Sequence, residues 1–294
     1  MRLFLLATLT MIAFAANSVL TRLALALAGH GPGMGQGPDI GPAEFAVLRL
    51  ASGAVMLGVL VHLRRAPLGL AAPGRIAGVL SLAVYVLGFS FAYLTLPAGL
   101  GALILFGMVQ ITMFAGAALG RETMPPRRWA GAALAFAGLV WLLWPTGVGA
   151  PPAAGALMMA AAGAGWGIYS LKGRGARDPQ AATAANFLLA TPIAFVALPF
   201  VPGPLHVSAE GAVLAILSGA VTSGLGYALW YAVLPRLAAS SAAVAQLTVP
   251  LIAMAGGALF LAEPLTHRFA VSAALVIAGV LISLSRPRAR ARRA

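Results

Sequence analysis

Cysteine is missing from all 294 residues, which excludes disulfides, thiolate metal sites and cysteine nucleophiles. Charge is nearly as scarce, at 9% of the chain, and only six residues are acidic. A water-soluble domain of this length could not cover its surface with so few charges. No Asp or Glu stands in the middle of any long apolar run, so no deep carboxylate is available to shuttle protons. His-Glu-x-x-His, Gly-x-Ser-x-Gly and P-loop patterns are absent, and the four histidines (30, 62, 206, 267) fall in loops or at the ends of runs. Hydrolytic chemistry inside a membrane would need paired Asp, a Ser with a base, or His ligands. The chain is read as no enzyme, and no cofactor or metal is expected.

Apolar residues fill the rest, 61% of the chain with a mean hydropathy of +0.96. Ten stretches are long enough to cross a hydrocarbon core of about 30 Å. They cover about 3–27, 42–62, 75–95, 98–119, 128–145, 153–171, 180–200, 210–233, 238–261 and 267–285. Unpaired backbone groups in lipid cost several kcal/mol each, and the runs lack barrel alternation, so helix is required. The first run continues well past Ala16, which favours a retained helix over a cleaved signal peptide.

The net charge of +13 invites a nucleic-acid reading. Yet the basic residues lie between the spans and in the Arg286–Arg293 tail, not along one soluble face. Arg64, Arg65, Arg75, Arg127, Arg128, Lys172, Arg177 and Arg236 fall in alternate connections, whereas the others hold little besides Arg268. The positive-inside rule then sets both termini in the cytoplasm, and no nucleic-acid partner is expected.

Two parts of the chain echo each other. Met113, Gly116, Glu122, Arg127, Ala132 and Gly138 recur as Met254, Gly257, Glu263, Arg268, Ala273 and Gly279, always 141 positions on. Such periodicity marks a duplication. The reading is an all-α polytopic membrane protein: a five-helix repeat at 1–147, another at 148–286, and a basic cytoplasmic tail at 287–294. An odd number of spans per copy turns the second upside down, and inverted repeats serve carriers that expose one central site to each side in turn.

Polar and aromatic positions inside the spans are the candidates for that site. Tyr85 and Phe89 share a face of span three with Tyr93. Trp166 and Tyr169 are three apart in span six, and Tyr227 lies in span eight. Tyr93, Trp230 and Tyr231, nearer the ends, suit an interfacial belt. Asn17, Gln110 and Gln246 are amides that either bond across to another helix or bind ligand. Pro250 with Gly256 and Gly257 makes a candidate hinge in span nine. Arg49 carries a charge two turns into span two. It can pair with Glu44, snorkel, or meet a substrate carboxylate; a structural role for Glu44 and Arg49 is the expectation. Arg22 is expected to snorkel.

Asn17, Arg49, the Gly116–Glu122 end of span four, and Pro250 with Gly256-Gly257 through Glu263-Pro264 resemble the drug/metabolite transporter superfamily, in particular its ten-helix group with a duplicated EamA domain. Within it the chain is similar to the YddG-type amino-acid exporters. The resemblance implies an inner-membrane carrier of amino acids or similar small metabolites. It also implies a cavity lined by spans 1, 3, 4, 6, 8 and 9, with spans 5 and 10 outside. Drug-like or lipid-like amphiphiles are the alternative cargo.

Overall fold

The computed structural model describes residues 2–26, 40–120, 125–144, 151–173, 176–201, 205–233, 236, 245–246 and 248–284. Asp39, Glu122 and the basic tail lie outside them. Ten helices run through the described residues: α1 (Arg2–Ala26), α2 (Pro42–Leu63), α3 (Arg75–Ala92), α4 (Ala98–Leu119), α5 (Pro126–Leu143), α6 (Ala153–Gly173), α7 (Pro179–Ala197), α8 (Ala209–Val233), α9 (Thr248–Leu261) and α10 (His267–Leu284). Seven of them, α1 to α4 and α6 to α8, are long and apolar enough to cross a membrane. The protein is a polytopic, all-helical membrane protein, and its helix limits fall within a few residues of the apolar runs wherever the span is described in full.

Contacts between helix ends sort into two sets. At one end, Arg22 near the close of α1 reaches Glu263 beyond α9 and the Tyr93 carbonyl just after α3. Arg268 at the start of α10 donates to the carbonyls of Trp141 and Trp144 and so closes the C-terminus of α5. At the opposite end Arg64, just past α2, bonds Asp178 and Gln180 at the start of α7. Ser283 of α10 bonds the Arg128 carbonyl at the start of α5 there. Successive helices therefore alternate in direction, and α1 and α6 run in opposite senses.

Packing partners repeat with a two-fold pattern. α3 lies on α6 as α8 lies on α1, and α4 on α6 as α9 on α1. α2 pairs with α7, α4 with α9, and α5 with α10. Small residues allow the closest approaches. A Cβ on Gly163 would stand 2.6 Å from the Met108 Cβ, and one on Gly167 2.6 Å from the Thr112 Cβ, so α6 and α4 meet nearly backbone to backbone. Gly131 and Gly279 do the same for α5 and α10, each facing the other's carbonyl. Among the described residues α5 packs chiefly on α10 and next on α4, and it exposes Trp129 and Trp144 at its two ends. Such tryptophans suit the two membrane interfaces. Spans five and ten are peripheral, as expected.

One departure from regular helix sits in α8. Residues Leu217–Leu225 form a π-helix, far longer than the single-turn bulges usual for that geometry. The wider turn brings Ser218, Thr222 and Ser223 onto neighbouring helices, and sets Gly219 hard against the Arg49 carbonyl.

Candidate functional site

At the middle of the bundle, α1, α3, α4, α6 and α8 enclose a narrow cavity of ≈ 20 Å³, lined by Phe14, Asn17, Ser18, Tyr85, Phe89, Leu105, Phe106, Trp166, Thr222 and Tyr227. That space holds about one water molecule. Trp166 is its centrepiece, 5.0 Å from the rings of both Tyr85 and Tyr227, with Phe14 edge-on at 6.5 Å. Tyr169 stacks on the far side of Trp166 at 5.4 Å and donates its hydroxyl to Thr183 (2.9 Å). Phenols inside an apolar bundle need partners, and Arg49 of α2 supplies one to Tyr85 as Thr183 of α7 does to Tyr169.

Five expected site residues meet here: Asn17, Tyr85, Phe89, Trp166 and Tyr227. Tyr169 adjoins them through Trp166. Asn17 also bridges helices, its Oδ1 accepting from Ser218 (2.5 Å) and Thr222 (3.1 Å). Gln110 and Gln246 are half-buried and stand apart from the cavity. Among the described residues, five of the six expected helices line the cavity, and part of span nine lies outside those residues. Pro250 falls in the first turn of the described α9, and most of the span before it lies outside the described residues. Gly256 lies against Val19 of α1, and the Gly257 carbonyl accepts from the Glu263 N–H, so both glycines serve close contact here.

Several readings are corrected. Tyr93 is no belt residue: it is fully buried, edge-on to Phe89, and donates to the Ala98 carbonyl. Trp230 packs on Phe14, and Tyr231 accepts from Thr183 of α7, because they lie three and four residues after Tyr227 on the inward face of α8. Arg22 does not snorkel but pairs with Glu263. Glu44 and Arg49 do not pair, since the Glu44 carboxylate turns back to the His206 N–H (3.3 Å). Arg49 is wholly buried, donating from Nε to Ser223 (3.2 Å) and from Nη2 to the Tyr85 hydroxyl (2.8 Å). Its guanidinium lies 4.8 Å from the centre of the Phe89 ring.

Phe14, Ser18, Leu105, Phe106 and Thr222 also line the cavity without having been singled out. Phe14 stands one turn before Asn17, and Thr222 belongs to the hydroxyl cluster of α8; those spacings could have found them. Nothing marks Leu105 or Phe106 among so many apolar residues.

The two ends of the bundle differ. Arg22, Glu263, Tyr93 and Ala98 tie α1, α3, α4 and α9 together at one end, the Ala98 N–H donating to Glu263 at 2.7 Å. Burial raises the Glu263 carboxyl above its ordinary range, against the lowering pull of that N–H and of Arg22. At the other end a vestibule of ≈ 780 Å³ opens among α3, α6, α7 and α8, bounded by Arg75, Tyr169, Lys172, Thr183, Asn186 and Tyr231 among others. Tyr169 thus lies between vestibule and cavity.

Residues 153–285 match the model of the EamA-like transporter family. The chain is 44% identical over 292 residues to an uncharacterised protein of Pseudomonas aeruginosa, covering 99% of this chain and 98% of that one. It is 29% identical over 205 residues to a probable amino-acid metabolite efflux pump of Salmonella typhimurium, 64% of this chain and 68% of the other. A solved crystal structure of a protein superposes with a TM-score of 0.67 at 20% identity, over 96% of this chain and 97% of that one. The second half of the chain thus carries an EamA-like transporter domain, and the protein is a multi-pass membrane transporter.

Proposed function

We propose that this transporter exports amino acids, aromatic ones among them, or similar small metabolites across the bacterial inner membrane by alternating access. The observation that carries the reading is an aromatic and amide cavity walled by helices of both halves, shut by an ion pair toward one end and facing a vestibule at the other. The basic helix ends Arg64, Arg75, Arg128, Lys172 and Arg177 all lie on the vestibule side, so the positive-inside rule makes that side cytoplasmic. The cavity then faces inward, contracted around about one water, and widens to take substrate. The likeness to a probable amino-acid metabolite efflux pump agrees with this cargo. A duplication at 1–147 and 148–286 accounts for the two-fold packing. The chemistry is transport, with no covalent step and no resident cofactor.

The test is counterflow in proteoliposomes with a panel of the common radiolabelled amino acids and cold competitors. Saturable exchange of at least one of them supports the reading. Exchange of hydrophobic amphiphiles with none of the amino acids would replace it with the drug-like or lipid-like alternative.

A further inference from the structure

The positive charge of Arg49 is fully buried in this bundle, and among the described residues no carboxylate pairs with it. Two ion pairs exist among the described residues, Arg22–Glu263 and Arg64–Asp178, and neither involves Arg49. Its Nη1 has no hydrogen-bond partner among them. The groups that surround the guanidinium are two hydroxyls and two aromatic faces, which favour a cation but do not neutralise it. Gly219 of α8 presses on the Arg49 backbone, and Ser52 one turn on bonds the Arg49 carbonyl. A cation held so far from water attracts an anion strongly, because little dielectric screening intervenes.

The route from this charge to the cavity is short. Tyr85 accepts from Arg49 Nη2 with the Tyr227 hydroxyl also beside it, so the Tyr85 O–H proton can go to that oxygen or to a bound ligand. Tyr85 and Phe89, the two rings against the guanidinium, both line the cavity. A carboxylate placed there would receive the Tyr85 hydroxyl and lie one side chain away from the unpaired Nη1.

We propose that the cavity selects its cargo by a carboxylate, bound by the Tyr85 hydroxyl and drawn in by the buried charge of Arg49. This rests on the amino-acid reading and sharpens it. The substrate must carry an acid group, whereas cations and neutral amphiphiles meet a site of the wrong sign. Arg49 is therefore a specificity-determining residue and not merely a strut between α2 and α8.

The experiment takes the amino acid that the full-length protein exchanges best and compares it, as cold competitor, with its own methyl ester. The acid is expected to compete at least about tenfold better, the change that one charge-assisted hydrogen bond supplies. Arg49→Gln should erase that preference, Arg49→Lys should keep part of it, and Tyr85→Phe should weaken it. Equal competition by acid and ester in the wild type overturns the proposal, as does a folded Arg49→Gln protein that still prefers the acid. If Arg49→Gln does not fold, the wild-type comparison and Tyr85→Phe decide. Failure of every amino acid to exchange would instead sink the reading beneath it, and the two failures are told apart by the wild-type panel alone.

Discussion

The two ends of the cavity are closed by different forces. Toward one end a guanidinium and a carboxylate gather four helices: Arg22 holds the Glu263 carboxylate at 3.2 Å and the Tyr93 carbonyl at 2.8 Å. Toward the other, Trp166 and Tyr169 stack, and one neutral hydrogen bond runs from Tyr169 to Thr183. Hydrogen bonds to charged groups contribute about 1.5–3 kcal/mol, and an aromatic pair about 0.5–1.5 beyond its burial. The ionic end is the firmer closure, and the aromatic end is the one poised to yield. The halves do not supply matching devices. At the 141-residue spacing of the echoing positions, Arg22 would correspond to Gly163, which can form no ion pair. A carrier built from two similar halves can thus favour one orientation without losing its symmetry of packing.

The largest change should follow from removing the ring common to cavity and barrier. Trp166→Ala strips contacts with Phe14, Tyr85, Tyr169 and Tyr227 at once. Large aromatic truncations in a core cost about 3–5 kcal/mol. Exchange by the folded variant should fall by at least about tenfold, since 1.4 kcal/mol already amounts to that. Initial rates of counterflow, set against the amount of monodisperse protein recovered, measure it. Unchanged exchange would mean that the aromatic cavity is not the path.

A middle-sized effect is expected at the ionic end. Arg22→Ala leaves the Glu263 carboxylate with the Ala98 N–H and removes the bonds from α1 to the Tyr93 and Leu94 carbonyls. The absence of native cysteine makes a single reporter simple: Ser18→Cys, buried on α1 beside the cavity. In the parent this thiol should react with a membrane-impermeant reagent mainly from the vestibule side. Combined with Arg22→Ala, reaction from the opposite side should rise several-fold, the scale of about 1 kcal/mol. No rise would show that helix packing, not the ion pair, closes that end.

Tyr169→Phe should do less. It removes one neutral hydrogen bond to Thr183, about 1 kcal/mol, and leaves the stack on Trp166 in place. Exchange should change by less than about tenfold, with the vestibule side reacting faster in the Ser18→Cys background. An effect as large as that of Trp166→Ala would make the hydroxyl, and not the ring, the barrier.

These contrasts also mark what the residue order could tell. Helix number and limits were legible because lipid forces whole apolar runs into helix, and the periphery of spans five and ten agreed with the resemblance. Tyr85, Phe89, Trp166 and Tyr227 were legible because their spacing puts each on an inward face. Tyr93 and Arg22 were misjudged for one reason: position along a span says how deep a side chain lies, not which neighbour faces it. Their partners are distant in sequence, Glu263 lying 241 residues from Arg22. The π-helix was illegible, since Leu217–Leu225 reads as ordinary apolar helix until Asn17 and Arg49 are packed against its hydroxyls. Pairing of Arg49 with Glu44 was suggested by a five-residue separation, yet on a helix five residues turn the second side chain away from the first.

The smallest expected effect is one of acidity. In the closed arrangement burial holds the Glu263 carboxyl above the ordinary carboxylate range, outweighing the Ala98 N–H and Arg22, the charged partner that it meets. Once that end opens, water surrounds the carboxyl and its affinity for a proton returns to normal. The closed arrangement therefore binds the proton more readily, and falling pH favours it by linkage. The gain is fully present below the ordinary carboxylate range and is lost as pH rises through the raised value. In the Ser18→Cys protein, reaction from the ionic end relative to the vestibule end should decline modestly on moving from neutral to mildly acidic solution. Taking the ratio cancels the thiol's own titration. Glu263→Gln should flatten the dependence. A ratio that grows with acid would mean that Glu263 closes this end as a bare anion, through Arg22 alone.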